Sequence, residues 1–251
     1  MLERIVCLVI GYAFGLIQTG FIYGKMHGID IRQHGSGNSG ATNTLRTLGT
    51  KAGFIVLFGD AIKCILAIVI TYFLFGRNNP EYLFLYRMYT AFGVILGHDF
   101  PFYLQFKGGK GIATTIGVFS ICECSQGIAW AAVVIMAIVA ALIFIYITEF
   151  GAMGSFIAIT PPAISGGIRL YLLYGTIREV SYLYIISCVL ILLICFFTWF
   201  AHRKNIDRML KGEEHPTSIK EMLVKAKNKR IKRKEIKKRL KEKNKISKDN
   251  Q

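Results

Sequence analysis

Seven apolar runs separated by short polar segments constrain this chain more than any other feature: residues 5–23, 52–75, 82–97, 112–122, 128–147, 152–173 and 182–200. A helix needs about 20 apolar residues to cross the hydrocarbon core of a bilayer. Five runs reach that length, and the third and fourth are short. Composition points the same way, since 53% of the 251 residues are hydrophobic and only 18% are charged, a poor recipe for a soluble domain of this size. The expectation is an all-α integral membrane helical bundle with about seven transmembrane helices. The first run lacks the basic leading region and small-residue cleavage site of a signal peptide, and reads as a retained helix.

Loop charge sets the orientation. Lys25, Arg32, Arg46, Lys51, Lys107, Lys110 and everything after Ala201 fall on one side of a seven-span chain, while Arg4, Arg77 and Arg178 fall on the other. Basic loops stay in the cytoplasm, so the N-terminus is expected outside and the C-terminus inside. The net charge of +16 is uneven: residues 217–251 hold fifteen Lys or Arg against four Asp or Glu, a balance of +11. Two regions follow, a membrane domain over 1–215 and a basic cytoplasmic tail over 216–251, disordered or lying on anionic headgroups as an amphipathic helix. The tail has no aromatic residue to stack on a base, which argues against nucleic acid as a partner. The six cysteines lie in or beside apolar runs, and Cys122-Glu-Cys124 has the wrong spacing for zinc. They read as small buried hydrophobes, with no metal and no cofactor expected.

Chemistry-bearing residues concentrate in three polar segments. Residues 107–111 read Lys-Gly-Gly-Lys-Gly directly before an apolar run. Gly108, Gly109 and Gly111 let backbone N–H groups approach an oxyanion, Lys107 and Lys110 add charge, and a helix starting near Ile112 points its positive end at the same anion. The simpler reading is a basic loop that sets topology. Residues 34–53 contain Gly35-x-Gly37-x-x-Gly40 with Asp60 twenty residues on, but no hydrophobic strand precedes it, so a dinucleotide fold is rejected. What remains there is local: Ser36, Asn38, Thr42 and Asn43 on a turning backbone, a short helix over 41–48 for them to cap, and Arg46 as a two-pronged donor or an interface anchor. Residues 202–214 place His202, Asn205, Arg208 and Glu214 after the last run, with Gly212 as a helix stop. His202 and Asp207 also form an H-x-x-x-x-D pattern, which is short enough to arise by chance.

Together the three segments resemble the acyl-phosphate-dependent glycerol-3-phosphate acyltransferases of bacterial membranes, the PlsY family. The likeness covers residues 11–214 and rests on SGNxGATNxxRTLGxKAG at 36–53, GHxFPxxxxFKGGKGxAT at 97–114 and HRxNIxRxLxGxE at 202–214. It implies transfer of a fatty acyl group from acyl phosphate to the 1-hydroxyl of sn-glycerol 3-phosphate, giving lysophosphatidic acid and phosphate. It also implies a multi-pass protein of the bacterial plasma membrane with a cytoplasmic active site, partnered by lipid and by a soluble enzyme that supplies acyl phosphate. By the resemblance, Ser36, Gly37, Asn38, Gly40, Thr42, Asn43, Lys107, Gly108, Gly109, Lys110 and Gly111 hold the acyl phosphate. Arg46, Lys107, Ser155, His202 and Asn205 hold glycerol 3-phosphate. His98, Ser36, Asn205 and Glu214 are the catalytic candidates: His98 to orient or deprotonate the nucleophile, Glu214 to organise the third segment. Transfer can be direct or can pass through an acyl-Ser36 intermediate.

The chain departs from the family pattern in two places. Asp60-x-x-Lys63 is followed by Cys64 instead of Gly, and residues 148–155 lose one Ser and an Arg of the usual pattern. A transporter would place its polar groups at mid-membrane, whereas these lie at helix ends on one side. A lipid-binding scaffold leaves the Lys-Gly turn and Arg46 unexplained.

Overall fold

The computed structural model describes residues 1–175, 181–214, 216–217, 224 and 228, and these contain helices and turns but no strand. The described residues include, in chain order, α1 Leu2–Gly15, α2 Thr19–Met26, α3 Ala41–Leu48, α4 Thr50–Thr71, α5 Leu83–Asp99, α6 Ile112–Cys124, α7 Ile128–Thr148, α8 Gly151–Leu170, α9 Ser181–Ala201 and α10 Arg203–Leu210. Among the described residues, five stretches are long and apolar enough to cross a membrane: Leu2–Met26, Thr50–Gly76, Ile128–Thr148, Gly151–Leu173 and Tyr182–Ala201. The α6 helix, at 13 residues, and α5, at 17, are shorter. Most of the basic tail and the loop with Arg178 lie outside the described residues.

The apolar surface is inverted relative to a water-soluble protein. On α7, Ile135, Met136, Val139, Leu142, Ile143 and Ile147 face outward while Ala137 and Ala141 are buried. The large side chains thus meet lipid and small ones meet protein, because lipid offers no hydrophobic drive for helices to bury leucine against each other. The same rule joins α1 to α5. A Cβ on Gly11 would lie 2.1 Å from the Thr90 carbonyl oxygen, one on Gly15 2.4 Å from that of Val94, one on Gly93 2.2 Å from that of Leu8 and one on Gly97 2.3 Å from that of Tyr12. Only hydrogen fits at this backbone-to-backbone crossing, and the two Gly-x-x-x-Gly pairs supply it.

One expected element is divided. The first apolar run becomes α1 and α2, broken at residues 16–18. Lys63 of α4 donates to the Ile17 carbonyl at 2.7 Å, and buried Gln18 donates to His98 O at 2.8 Å while accepting from Ser39 Oγ at 3.1 Å. Lys63, with Tyr103 Oη donating to the Leu16 carbonyl at 2.7 Å, therefore satisfies backbone that the break releases, while Gln18 ties the break to α5 and to Ser39. The cysteines also need one correction: Cys7, Cys64 and Cys122 are buried, Cys188 and Cys195 half-buried, but Cys124 is exposed.

Candidate active site

The C-terminal end of α5 builds the platform. Asp60 and Lys63, one turn apart on α4, form a buried ion pair at 3.0 Å, with Thr19 Oγ1 donating to Asp60 at 3.0 Å. Lys63 Nζ also lies 2.7 Å from His98 Nδ1. An ammonium can only donate, so Nδ1 accepts and the ring proton sits on Nε2. That nitrogen faces Gly109, where an added Cβ would lie 2.0 Å away. His98 is 3% exposed and forms no part of the cavity wall described below. The expectation that His98 deprotonates the nucleophile therefore meets a physical objection, since neither ring nitrogen is free to take a proton from a substrate.

On this platform rests the Lys-Gly turn. Gly108 N–H donates to the Asp99 carbonyl at 3.1 Å and Gly109 N–H to that of His98 at 3.0 Å. A Cβ on Gly108 would fall 2.0 Å from the His98 carbonyl oxygen. These two glycines thus serve close packing of the turn on α5, a different reason from the anion approach anticipated above. Gly111, at φ +72°, is the residue that needs the left-handed conformation, and it starts α6.

The loop before α3 is held by one amide. Buried Asn43 donates through Nδ2 to the carbonyls of Ile31, His34 and Asn38 at 3.1, 2.9 and 2.8 Å, and its Oδ1 accepts from Ser36 N–H at 2.9 Å. Asn38 Oδ1 in turn accepts from Gly40 N–H at 2.8 Å, closing an Asx-type turn. Asn43 is consequently a loop former with no donor left for a phosphate. The Ser36 hydroxyl is exposed and has no hydrogen-bond partner among the described residues.

The third segment folds into α10 and closes against the turn. Lys110 Nζ donates to Asn205 Oδ1, Asn205 Nδ2 to Glu214 Oε1 at 2.6 Å, and Arg208 Nε to Glu214 Oε2 at 3.0 Å. Burial, then the neighbouring Arg208, bring Lys110 down to about 8, with Arg46 adding to the effect and Glu214 opposing it. His202 is buried against Phe156, and its Nδ1–H donates to the Thr198 carbonyl at 2.9 Å. Desolvation and the charge on Lys110 lower His202 to about 4, so at neutral pH it is uncharged.

These three segments wall a single cavity of about 280 Å³. Ser36, Gly37, Asn38, Lys107, Gly108, Gly109, Lys110 and Asn205 line it as expected, joined by Asp99, Phe100, Phe106, Ala201, Arg203, Lys204 and Arg208. Five of the lining residues are Lys or Arg. Gly40, Thr42, Asn43, Gly111, His98, His202 and Glu214 stand behind or beside the wall. Ser155 donates to the Gly151 carbonyl of its own helix at 2.9 Å. Arg46 is occupied elsewhere: its Nη2 donates to Pro216 O at 3.0 Å and Thr217 Oγ1 at 2.9 Å, and Thr217 N–H donates to Glu149 O at 2.8 Å. Arg203 and Lys204 escaped the sequence reading because basic residues just past a membrane span also read as topology signals. Gln18 escaped it because a lone glutamine in an apolar run carries no pattern.

The profile of the family described as Glycerol-3-phosphate acyltransferase matches residues 5–212. Glycerol-3-phosphate acyltransferase 2 of Thermotoga maritima is 34% identical over 212 residues, which cover 84% of this chain and 95% of that protein. The glycerol-3-phosphate acyltransferase of Bacillus subtilis is 34% identical over 209 residues, covering 82% and 94%. Among solved structures, PlsY, an integral membrane glycerol 3-phosphate acyltransferase, in its glycerol 3-phosphate form superposes with a TM-score of 0.63 at 30% identity, covering 88% of this chain and 98% of that one. Its lysophosphatidic acid form gives 0.62 at the same identity and coverage.

Proposed function

The chain belongs to the glycerol-3-phosphate acyltransferase family, and from that premise we propose that it moves a fatty acyl group from acyl phosphate to the 1-hydroxyl of sn-glycerol 3-phosphate. The products are lysophosphatidic acid and inorganic phosphate. One observation carries the reading: three distant segments enclose one cavity lined by five cationic side chains, suited to two phosphorylated substrates held side by side. Fixed cations stabilise the charge that develops as an acyl phosphate is attacked, and proximity removes much of the entropic barrier to a two-substrate reaction.

We assign the acyl phosphate to Lys107, Gly108, Gly109 and Lys110 with the Ser36–Asn38 loop, and glycerol 3-phosphate to the side formed by Asn205, Arg203 and Arg208. Arg46 joins the second set once it releases Pro216 and Thr217. Asn43, Glu214 and His98 hold the wall in shape, and His202, neutral and capping the entry to α10, does the same. Transfer is direct: the acceptor oxygen attacks the acyl carbonyl, the carbon–phosphate oxygen bond breaks, and the hydroxyl proton ends on the departing phosphate. The partnerless Ser36 hydroxyl supports this over an acyl-serine, because a serine nucleophile needs an adjacent base. The active site faces the cytoplasm of a bacterial cell, in a seven-span protein with its N-terminus outside, a reading supported by the distribution of Lys and Arg. A soluble enzyme that makes acyl phosphate completes the supply.

Purified protein in detergent, given acyl phosphate and labelled glycerol 3-phosphate, is expected to release labelled lysophosphatidic acid with intersecting double-reciprocal plots. Product formed only from an acyl thioester would overturn the donor, and a trapped acyl-Ser36 adduct would overturn direct transfer.

A further inference from the structure

A site that uses an acyl phosphate has to accommodate a hydrocarbon chain as well as two phosphates. A cavity of about 280 Å³ is too small to enclose all three, since sites that enclose one drug-sized ligand run from about 300 to 1,000 Å³. The chain must therefore leave the cavity across an apolar part of its wall. Of the lining residues, Phe100, Phe106 and Ala201 carry apolar side chains. Phe100 packs back onto the bundle, its ring 5.8 Å from that of Phe197 in an edge-to-face pair. Phe106 is 62% exposed, so it belongs to the cavity wall and to the outer surface at once.

The backbone at Phe106 is unusual for such a side chain. Among the described residues three non-glycine positions have positive φ, and two of them are adjacent: Gln105 at +56° and Phe106 at +58°. A bulky residue in this left-handed region is an outlier, and a turn alone is better served by Gly or Asn. The loop enforces the conformation. Phe106 N–H donates to the Pro101 carbonyl at 3.0 Å and Lys107 N–H to that of Leu104 at 3.1 Å, with Leu104 buried. Strain held in place by its surroundings marks positions where the side chain serves something besides the fold. Phe102 and Tyr103 of the same loop are exposed too, but neither lines the cavity, and both suit the ordinary role of aromatic anchors at a membrane interface.

We propose that Phe106 is a specificity-determining residue for this reaction, its ring receiving the donor's fatty acyl chain where that chain passes out of the cavity toward the bilayer. The inference rests on the acyl phosphate reading. Lys107, the next residue, is assigned there to the donor's phosphate, so one short stretch offers a cation to the head of the donor and an apolar ring to its tail. The five cations of the wall give the chain no such surface. The contact acts on binding of the donor and leaves the proton movements of direct transfer as they are.

The test is Phe106→Asn in the full-length protein, with Phe106→Leu beside it in the same detergent. Asparagine tolerates the left-handed backbone, so thermal unfolding is expected at or above the wild-type temperature, but it offers no apolar surface. The KM for palmitoyl phosphate should rise about tenfold in the Asn variant, the scale of about two methylene groups losing an apolar partner, and by less than about threefold in the Leu variant. Inorganic phosphate, which has no chain, should inhibit all three proteins with Ki values within about twofold of one another, and KM for glycerol 3-phosphate should be equally steady. An Asn variant whose KM for palmitoyl phosphate stays within about twofold of wild type would overturn the assignment. So would a Ki for inorganic phosphate that rises in parallel, because a distorted Lys-Gly turn weakens phosphate with or without a chain. Wild-type protein assayed alongside separates this failure from failure of the reaction itself: with the wrong donor, wild type forms no lysophosphatidic acid from palmitoyl phosphate.

Discussion

The two glycine-containing segments that line the cavity reach rigidity by opposite means. The loop at 35–40 is held by what one side chain adds, since Asn43 gathers three carbonyls and one N–H. The turn at 107–111 is held by what is missing, since Gly108 and Gly109 sit on the His98 backbone and ring with no room for a Cβ. A loop of the first kind fails when atoms are removed. One of the second kind fails when atoms are added, and its glycines are then required by the protein's own packing before any ligand arrives.

Gly109→Val presses hardest on this contrast. Branched atoms at a point where even a Cβ lies 2.0 Å from His98 Nε2 must displace the ring or the turn, at a cost of roughly 3 kcal/mol or more. Turnover is expected below about one per cent of wild type, with a lowered unfolding temperature in the same detergent. A stable Gly109→Val protein with only a raised KM for acyl phosphate would return that glycine to the role of admitting the anion.

Asn43→Ala should have a smaller effect. It leaves the Ile31, His34 and Asn38 carbonyls and the Ser36 N–H to water or to one another, costing about 2 to 3 kcal/mol. Activity should fall about thirtyfold. Asn43→Asp, which keeps the acceptor for Ser36 but loses the donors, should be no better than Ala when initial rates are compared. A fully active Asp variant would mean that the Ser36 contact alone shapes the loop.

The smallest expected effect is a pH dependence that sharpens how the turn is tied to α10. Lys110, brought down to about 8, holds its charge below that pH and loses it as pH rises through it. The charged form is the one that attracts a phosphate, so affinity should be level from pH 6 to 7.5. Above pH 8 the KM for a phosphate substrate should climb at most about tenfold per unit, the limit for one titrating group. Lys110→Arg should flatten the rise, as measured by initial rates from pH 6 to 9.5. A wild-type KM unchanged to pH 9.5 would remove Lys110 from the binding charge.

Much of this was legible in the sequence for a definite physical reason. Apolar length announces helices in lipid, and the structure begins α6 at Ile112 and spans Ala41–Leu48 with α3 as the polar-to-apolar boundaries suggest. The Asp60–Lys63 pair, one helical turn apart, was equally readable. Contacts made by backbone were not. The Gly11, Gly15, Gly93 and Gly97 crossing, the break at residues 16–18 and the seat of Gly109 on His98 depend on which helix lies beside which, and spacing within one segment carries no such information. The same blindness separates His98 from Asp99. Adjacent residues look equally available in a string, and only the packing reveals that one is bonded to Lys63 and the carboxyl of the other has no hydrogen-bond partner among the described residues.

The bridge from Lys110 to Asn205 spans 95 residues, and it bears on how the protein comes into being. The Lys-Gly turn leaves the ribosome long before α10, so during synthesis the membrane holds a growing chain whose turn lacks the wall that α10 supplies. Asn205, Arg208 and Glu214 arrive together at the end of the last span and supply Lys110 with its hydrogen-bond acceptor and nearby carboxylate. A product terminated before α10 would keep the turn and the Ser36 loop but would leave that lysine without both. Synthesis of α10 is therefore also completion of the cavity, and a chain stopped before it has no closed site.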